Sequence, residues 1–228
     1  MERIEVLWED RSALVCVKPA GVLSQAGKPG EASMVSLLQA RTGGEIYPIH
    51  RLDRAAGGVM VYAKTAEAAA RLSRELQQGR LAKEYLAVLK GTPEAPAGML
   101  RDLLFHDRSR NRTYVVTRSR KGVREAKLFY RTLDRQDGLT LVQVRLLTGR
   151  THQIRAQFST RGLPLLGDGP YGGGSGALCL WSMALTLDPG NRPPRRFLRL
   201  PDSLGPFSGI AVPEPLEAEN LPEIEKKA

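Results

Sequence analysis

Two runs of strand-forming residues, Ala126–Leu133 and Leu139–Leu146, are joined across Asp137-Gly138. Strands joined by so short a turn must run antiparallel, because a parallel pair needs a long crossover. Another hairpin opens the chain. Ile4–Trp8 and Ala13–Val17 are short apolar runs separated by Glu9-Asp10-Arg11-Ser12, and Pro19-Ala20-Gly21 ends the second. Gly57–Lys64 reads as a central strand, Lys83–Gly91 as another with Tyr85, Ala87 and Leu89 on one side, and Leu178–Leu187 as the last. Helices are scattered among them. One is expected over Ser33–Arg41, with Val35, Leu37 and Leu38 inward and Gly43-Gly44 as its stop. Thr65 caps a second over Ala66–Gln78, with Leu72 and Leu76 one turn apart, and a third opens near Thr151, which can cap it, and runs to about Thr160. Helices and strands do not alternate strictly, so the pattern gives an α+β fold. Its expected core is a mixed, largely antiparallel central sheet flanked by helices and loops, not a doubly wound parallel sheet.

The 228 residues suffice for one sizeable core, or for two lobes sharing one. Charge is distributed unevenly over them. The formal net charge is +10, yet Pro213–Ala228 holds five Glu and two Lys, so residues 1–212 carry +13. We therefore expect a catalytic domain over 1–212 and a mobile acidic tail over 213–228. The cationic excess points to a polyanion, since cationic surface gains affinity by releasing condensed counterions. It is concentrated at about 101–124, where Arg101, Arg108, Arg110, Arg112, Arg118, Arg120, Lys121 and Arg124 face only Asp102 and Asp107. Thr113–Thr117 has strand character, so this segment reads as an arginine-rich hairpin, preceded by a loop marked by Pro93, Pro96 and Gly98. No apolar run approaches the length that spans a bilayer, and the first residues lack a secretory pattern. Cys16 and Cys179 lie in apolar stretches and read as buried free thiols. A cytoplasmic monomer with a nucleic acid as its polyanionic partner is the expectation.

Three short segments carry the chemistry. In His50-Arg51-Leu52-Asp53-Arg54, followed by Gly57-Gly58, a carboxylate stands between two arginines just before a strand. Flanking cations favour its ionised form, as a nucleophile or base requires, and the glycines allow close approach of backbone or ligand. A salt bridge in a turn would have the same sequence. In Lys83-Glu84-Tyr85 a strand tyrosine can stack on a base or fill a core. In Thr148-Gly149-Arg150-Thr151-His152-Gln153-Ile154-Arg155, guanidinium groups near a helix opening suit a phosphate or a buried carboxylate. His152 reads as a hydrogen-bonding residue. With His50 and His106 the only other histidines and no acids at ligand spacing, no metal site is expected.

These blocks resemble, in order, the RluA-type pseudouridine synthase family: HRLD at 50–53, KEY at 83–85, TGRTHQIR at 148–155 and Gly167-Asp168-Gly169-Pro170-Tyr171-Gly172 downstream, after an opening Lys18-Pro19-Ala20-Gly21. The resemblance implies the pseudouridine synthase fold without an N-terminal S4 domain. It also implies isomerisation of a uridine in ribosomal or transfer RNA, with no cofactor. By the same resemblance Asp53 acts on the ribose, Tyr85 stacks on the target base, and Arg155 pairs with the catalytic carboxylate. Arg51 would enter the RNA stack when the nucleotide flips out, and Arg54, Arg150, Arg108, Arg110 and Arg112 are expected on RNA. The chain departs from the family where Ala56-Gly57-Gly58 replaces the usual Thr-Ser-Gly and where Trp181 stands in place of a frequent His. An RNA-binding or ribosome-assembly protein that kept the fold with weakened catalysis is the alternative that these departures raise. A metal-dependent nuclease would need clustered carboxylates, and Asp53 has no acidic neighbour in its motif.

Overall fold

In the computed structural model the described residues are 4–27, 30–190 and 193–216. The elements run β1 (Val6–Glu9), β2 (Ala13–Lys18), α1 (Met34–Thr42), β3 (Tyr47–Pro48), β4 (Gly57–Ala63), α2 (Ala66–Gln77), β5 (Leu81–Lys90), β6 (Ala97–Asp107), β7 (Arg112–Val116), β8 (Val123–Gln136), β9 (Leu139–Leu146), α3 (Gln153–Ser159), a 3-10 turn (Gly169–Tyr171), β10 (Leu180–Leu187), β11 (Arg195–Leu198), β12 (Ser203–Leu204) and β13 (Phe207–Ser208). The chain divides into two units, residues 1–83 with 181–201 and residues 84–180 with 202–228.

In the first unit the strand order is β1-β2-β4-β10, with β3 on β4 and β11 on β10. β2 and β4 are antiparallel from Ala13↔Ala63 to Lys18↔Gly58, whereas β4 and β10 are parallel at Trp181↔Gly57 and Ser182↔Gly58. Every residue of β4 is buried, which explains its unbroken apolar run: it is covered on both faces. One face packs Val59, Val61 and Ala63 with Ala68 and Leu72 of α2. Thr65 caps α2 by accepting from the Ala68 amide at 3.2 Å. Ser33 caps α1 with Ser36 in a reciprocal box, and Met34 and Leu38 face inward while Val35 and Leu37 are half-buried.

In the second unit the order is β5-β9-β8-β6-β7, with β6/β8, β8/β9 and β6/β7 antiparallel. The Asp137-Gly138 turn joins β8 to β9 as expected, both residues at positive φ. The loop expected around Gly98 is already strand, because β6 starts at Ala97 and pairs with β8 from Ala97↔Arg131 to Phe105↔Val123. Its buried alternation runs Gly98, Leu100, Asp102, Leu104, and the charge at Asp102 masks the period. That carboxylate is neutralised by Arg161, with Nη1 at 2.9 Å, and also accepts from Gln157 Nε2 at 2.7 Å. The helix expected from Thr151 is also shorter. α3 begins at Gln153 behind His152, whose φ of 52° lies in the left-handed region, and no side chain caps it. Thr151 instead offers its carbonyl to the Thr113 hydroxyl at 2.8 Å.

The first residues of the expected tail are docked. Pro213 and Leu216 are buried, Gln143 Nε2 and Arg131 Nη2 donate to the Glu214 carbonyl, and Arg145 Nη1 donates to the Leu216 carbonyl. Residues 217–228 lie outside the described residues. Cys16 and Cys179 are buried free thiols, as expected. Among the described residues no helix is long and apolar enough to cross a membrane.

Candidate active site

Asp53 belongs to the first unit and sits half-buried in a turn between β3 and β4. The turn is closed by the Ala56 amide donating to the Asp53 carbonyl at 3.0 Å. Ser24 fixes its approach, donating its hydroxyl to the Leu52 carbonyl at 2.8 Å and accepting from the Leu52 amide at 3.0 Å. Lys18 fixes its exit. This fully buried ammonium donates to the carbonyls of Val22 at 2.7 Å, Pro19 at 2.8 Å and Arg54 at 3.2 Å. Burial pushes Lys18 down to about 8, and the carboxylate of Asp53 opposes that shift. The acid expected to do chemistry therefore has a buried cation in its field, and the same cation braces the backbone after it.

Gly57 and Gly58 follow for steric reasons. A Cβ on Gly57 would stand 2.6 Å from the Trp181 ring, and one on Gly58, at φ +121°, would meet the Ser182 carbonyl at 2.1 Å. Trp181 donates its ring N–H to the Arg199 carbonyl at 2.7 Å, which anchors the indole there. The two departures from the family pattern thus explain each other: the indole fills the volume that a side chain at 57 would need. His50 is structural. Its Nε2 accepts from the Val61 amide at 3.3 Å, and burial, with the Lys83 charge, pushes it down to about 3, so the ring is neutral.

Tyr85 and Arg155 belong to the second unit. Tyr85 is buried on β5, where the alternate residue Glu84 accepts from Gln143 Nε2 at 2.7 Å. Arg155 resolves the open alternative at the helix start in favour of a buried carboxylate. It grips Asp168 with Nε–Oδ2 at 2.7 Å and Nη2–Oδ1 at 2.8 Å, both side chains buried. Its guanidinium also lies 4.8 Å from the centre of the Tyr171 ring. The Tyr171 hydroxyl accepts from the Thr113 amide at 2.7 Å and bonds His152 Nδ1 at 3.0 Å. Gln153 holds the motif together, its Oε1 accepting from the Thr148 hydroxyl and the Arg150 amide, its Nε2 donating to the Lys127 carbonyl. A phosphate cradle at this helix start is not what the residues form: Arg155 is buried, and Gln153's own amide donates to the Arg150 carbonyl.

The remaining basic residues are spread out. Arg51 and Arg54 are exposed beside Asp53, and Arg54 reaches the Gly21 carbonyl at 3.0 Å and Glu31 at 3.5 Å. Arg108 and Arg110 are exposed in the β6–β7 turn, and Arg150 is exposed with Nε on the Glu125 carbonyl. Arg112 is half-buried, its guanidinium 5.1 Å from the Tyr171 ring and 5.4 Å from the Tyr114 ring. Lys18, Asp168 and Tyr171 were assigned no role from sequence. Their signal was a place inside the family's blocks. Among the described residues no group of three or more His, Cys, Asp or Glu is placed to hold a metal ion.

A mixed, mostly antiparallel sheet with three helices among the described residues, the backbone of its acidic turn braced by a buried lysine, defines an α+β fold. Comparison with known proteins gives the class. Residues 12–160 match the family model described as RNA pseudouridylate synthase. The chain is 36% identical over 182 residues to the ribosomal large subunit pseudouridine synthase D of Pseudomonas aeruginosa, covering 75% of this chain and 54% of that protein. It is 34% identical over 171 residues to an RNA pseudouridine synthase of Zymomonas mobilis, covering 73% and 78% respectively. An RNA pseudouridine synthase of Bacillus subtilis is 33% identical over 179 residues, covering 75% of this chain and 59% of the relative. The solved structure of human RNA pseudouridylate synthase domain containing 1 shares the fold, with a TM-score of 0.75 at 21% identity over 90% of this chain and 86% of that one. The chain belongs to the RNA pseudouridylate synthase family. It spans a little over half the length of the Bacillus and Pseudomonas relatives.

Proposed function

We propose that this chain converts a uridine in ribosomal or transfer RNA to pseudouridine, with Asp53 as the catalytic carboxylate. The observation that carries the reading is the family match over residues 12–160, which contains HRLD, KEY and TGRTHQIR complete. The braced turn around Asp53 supports it, because a carboxylate acting on ribose must be held in one geometry. In the reaction the bond from ribose C1′ to uracil N1 breaks, the base rotates, and C1′ bonds to C5. The C5 proton leaves and N1 gains one, so no redox equivalent is consumed. Reaching the glycosidic bond requires the nucleotide to leave its stack. Arg51 enters the gap, Tyr85 stacks on the uracil, and Arg155, fixed by Asp168, supports the carboxylate electrostatically. Arg54, Arg150, Arg108, Arg110 and Arg112 contribute to holding the RNA. The name of the Pseudomonas relative makes large-subunit ribosomal RNA the first substrate to test.

Tritium at uridine C5 reports the reaction directly. Wild type should release it from labelled RNA, and Asp53→Asn should release none. No release from any cellular RNA pool would leave the binding or assembly protein as the better reading.

A further inference from the structure

We propose that the face of the β6–β7 hairpin turned away from α3 is a stacking platform for unpaired RNA bases, built on Phe105 and Tyr114. Strand alternation sets the two faces. Asp102 bonds Gln157 and Arg161, Leu104 packs with Ala156, and Thr113 bonds Tyr171 and Thr151, so positions 102, 104, 106 and 113 face the helix side. Phe105 and Tyr114 sit in the opposite phase and are direct cross-strand partners. Both are only half-buried, although each could have been a polar residue at such a position.

The rings are dressed with cations. The Arg120 guanidinium stacks 4.7 Å from the Phe105 ring centre, while Arg112, at the edge of the hairpin, lies 5.4 Å from that of Tyr114 and 5.1 Å from that of Tyr171 on the helix side. Arg120 is itself exposed, so a flat cationic surface is presented over the first ring. Gly122 lies beside the ring, at ordinary contact distance from Phe105, and its φ of +87° is what calls for glycine there. Aromatic faces interleaved with guanidinium groups suit single-stranded RNA, whose bases stack while its phosphates pair with the cations. A duplex would use only the charge, because its bases are already stacked. The surrounding cations set the sign of the partner and the rings set its form.

The inference rests on the reading of the chain as an RNA enzyme. The test is equilibrium binding of the full chain to an unstructured pyrimidine oligoribonucleotide and to a blunt RNA duplex, each over a salt series. Phe105→Leu with Tyr114→Val should weaken binding of the unpaired strand about tenfold or more, leave the duplex unchanged, and keep the salt slope. Phe105→Trp should retain wild-type affinity, which guards against a mere folding defect in the double variant. Equal losses on both RNAs, no loss on either, or weakened unpaired-strand binding by Phe105→Trp would overturn the platform. Tritium release by the same preparations separates the two claims: a wild type that turns over, yet binds the unpaired strand no better than the double variant, refutes the platform alone.

Discussion

Restoring the family's serine at position 57 should damage this protein. The Cβ of Gly57→Ser would stand 2.6 Å and 3.0 Å from two carbons of the Trp181 ring and 3.2 Å from the Lys18 carbonyl. The indole cannot retreat freely, because its N–H is bonded to the Arg199 carbonyl at 2.7 Å and β10 lies parallel to β4 at this pair. Overpacking of this kind costs about 1–3 kcal/mol. For a chain of this size that corresponds to a fall in Tm of about 2–12 °C. Trp181→His alone should also destabilise, through lost packing and a lost hydrogen bond, by about 2–4 kcal/mol. The informative quantity is the coupling. With the ring gone, the serine has room, so the double variant should be more stable than the sum of the singles allows by about 1–3 kcal/mol. Thermal or urea unfolding of the four proteins measures it. A neutral Gly57→Ser, or strictly additive singles, would refute the claim that Trp181 dictates the glycine.

Other predictions concern charge. Lys18 is pushed down to about 8 by burial, so between pH 8 and its ordinary 10.5 the unfolded chain holds a proton that the folded chain has released. Its contribution to stability therefore rises with pH through that window, while turnover should fall above about pH 8 as Asp53 loses its cation. Lys18→Met should be slow at every pH and lack that alkaline limb; an unchanged limb in the pH–rate profile would show that another group causes it. Asp168→Ala strips a bidentate partner from buried Arg155 and should cost about 3–5 kcal/mol on unfolding, with Asp168→Glu milder; a loss below 1 kcal/mol would contradict the pairing. Reversing Arg108, Arg110 and Arg118 to Glu should weaken RNA binding and flatten its salt dependence; unchanged binding would remove the hairpin from the interface.

The parts of the fold legible in the sequence were those set by local pattern. The fully buried β4 announced itself as an unbroken apolar run, Thr65 as a helix cap, and Asp137-Gly138 as a hairpin turn. What escaped depended on partners distant in sequence. The start of β6 looked like loop because of Pro93, Pro96 and Gly98, and its buried register is masked by Asp102, whose partners lie 55 and 59 positions away. The opening of α3 looked like a capped helix, but no side chain caps it; the loop before it is held instead by the Arg150 amide donating to Gln153 Oε1 and by the Thr113 hydroxyl donating to the Thr151 carbonyl. Asp53 and Arg155 could be singled out from their motifs. The lysine that braces Asp53 and the aspartate that grips Arg155 could not, because neither lies within ten residues of its partner.

Whether Asp53 carries the reaction is decided by mapping pseudouridines in RNA from cells deleted for this protein and then complemented. At least one modified position should disappear on deletion, return with the wild-type chain, and stay uridine with Asp53→Asn expressed at the same level. Restoration of that position by the asparagine variant would show that this carboxylate does not carry the reaction.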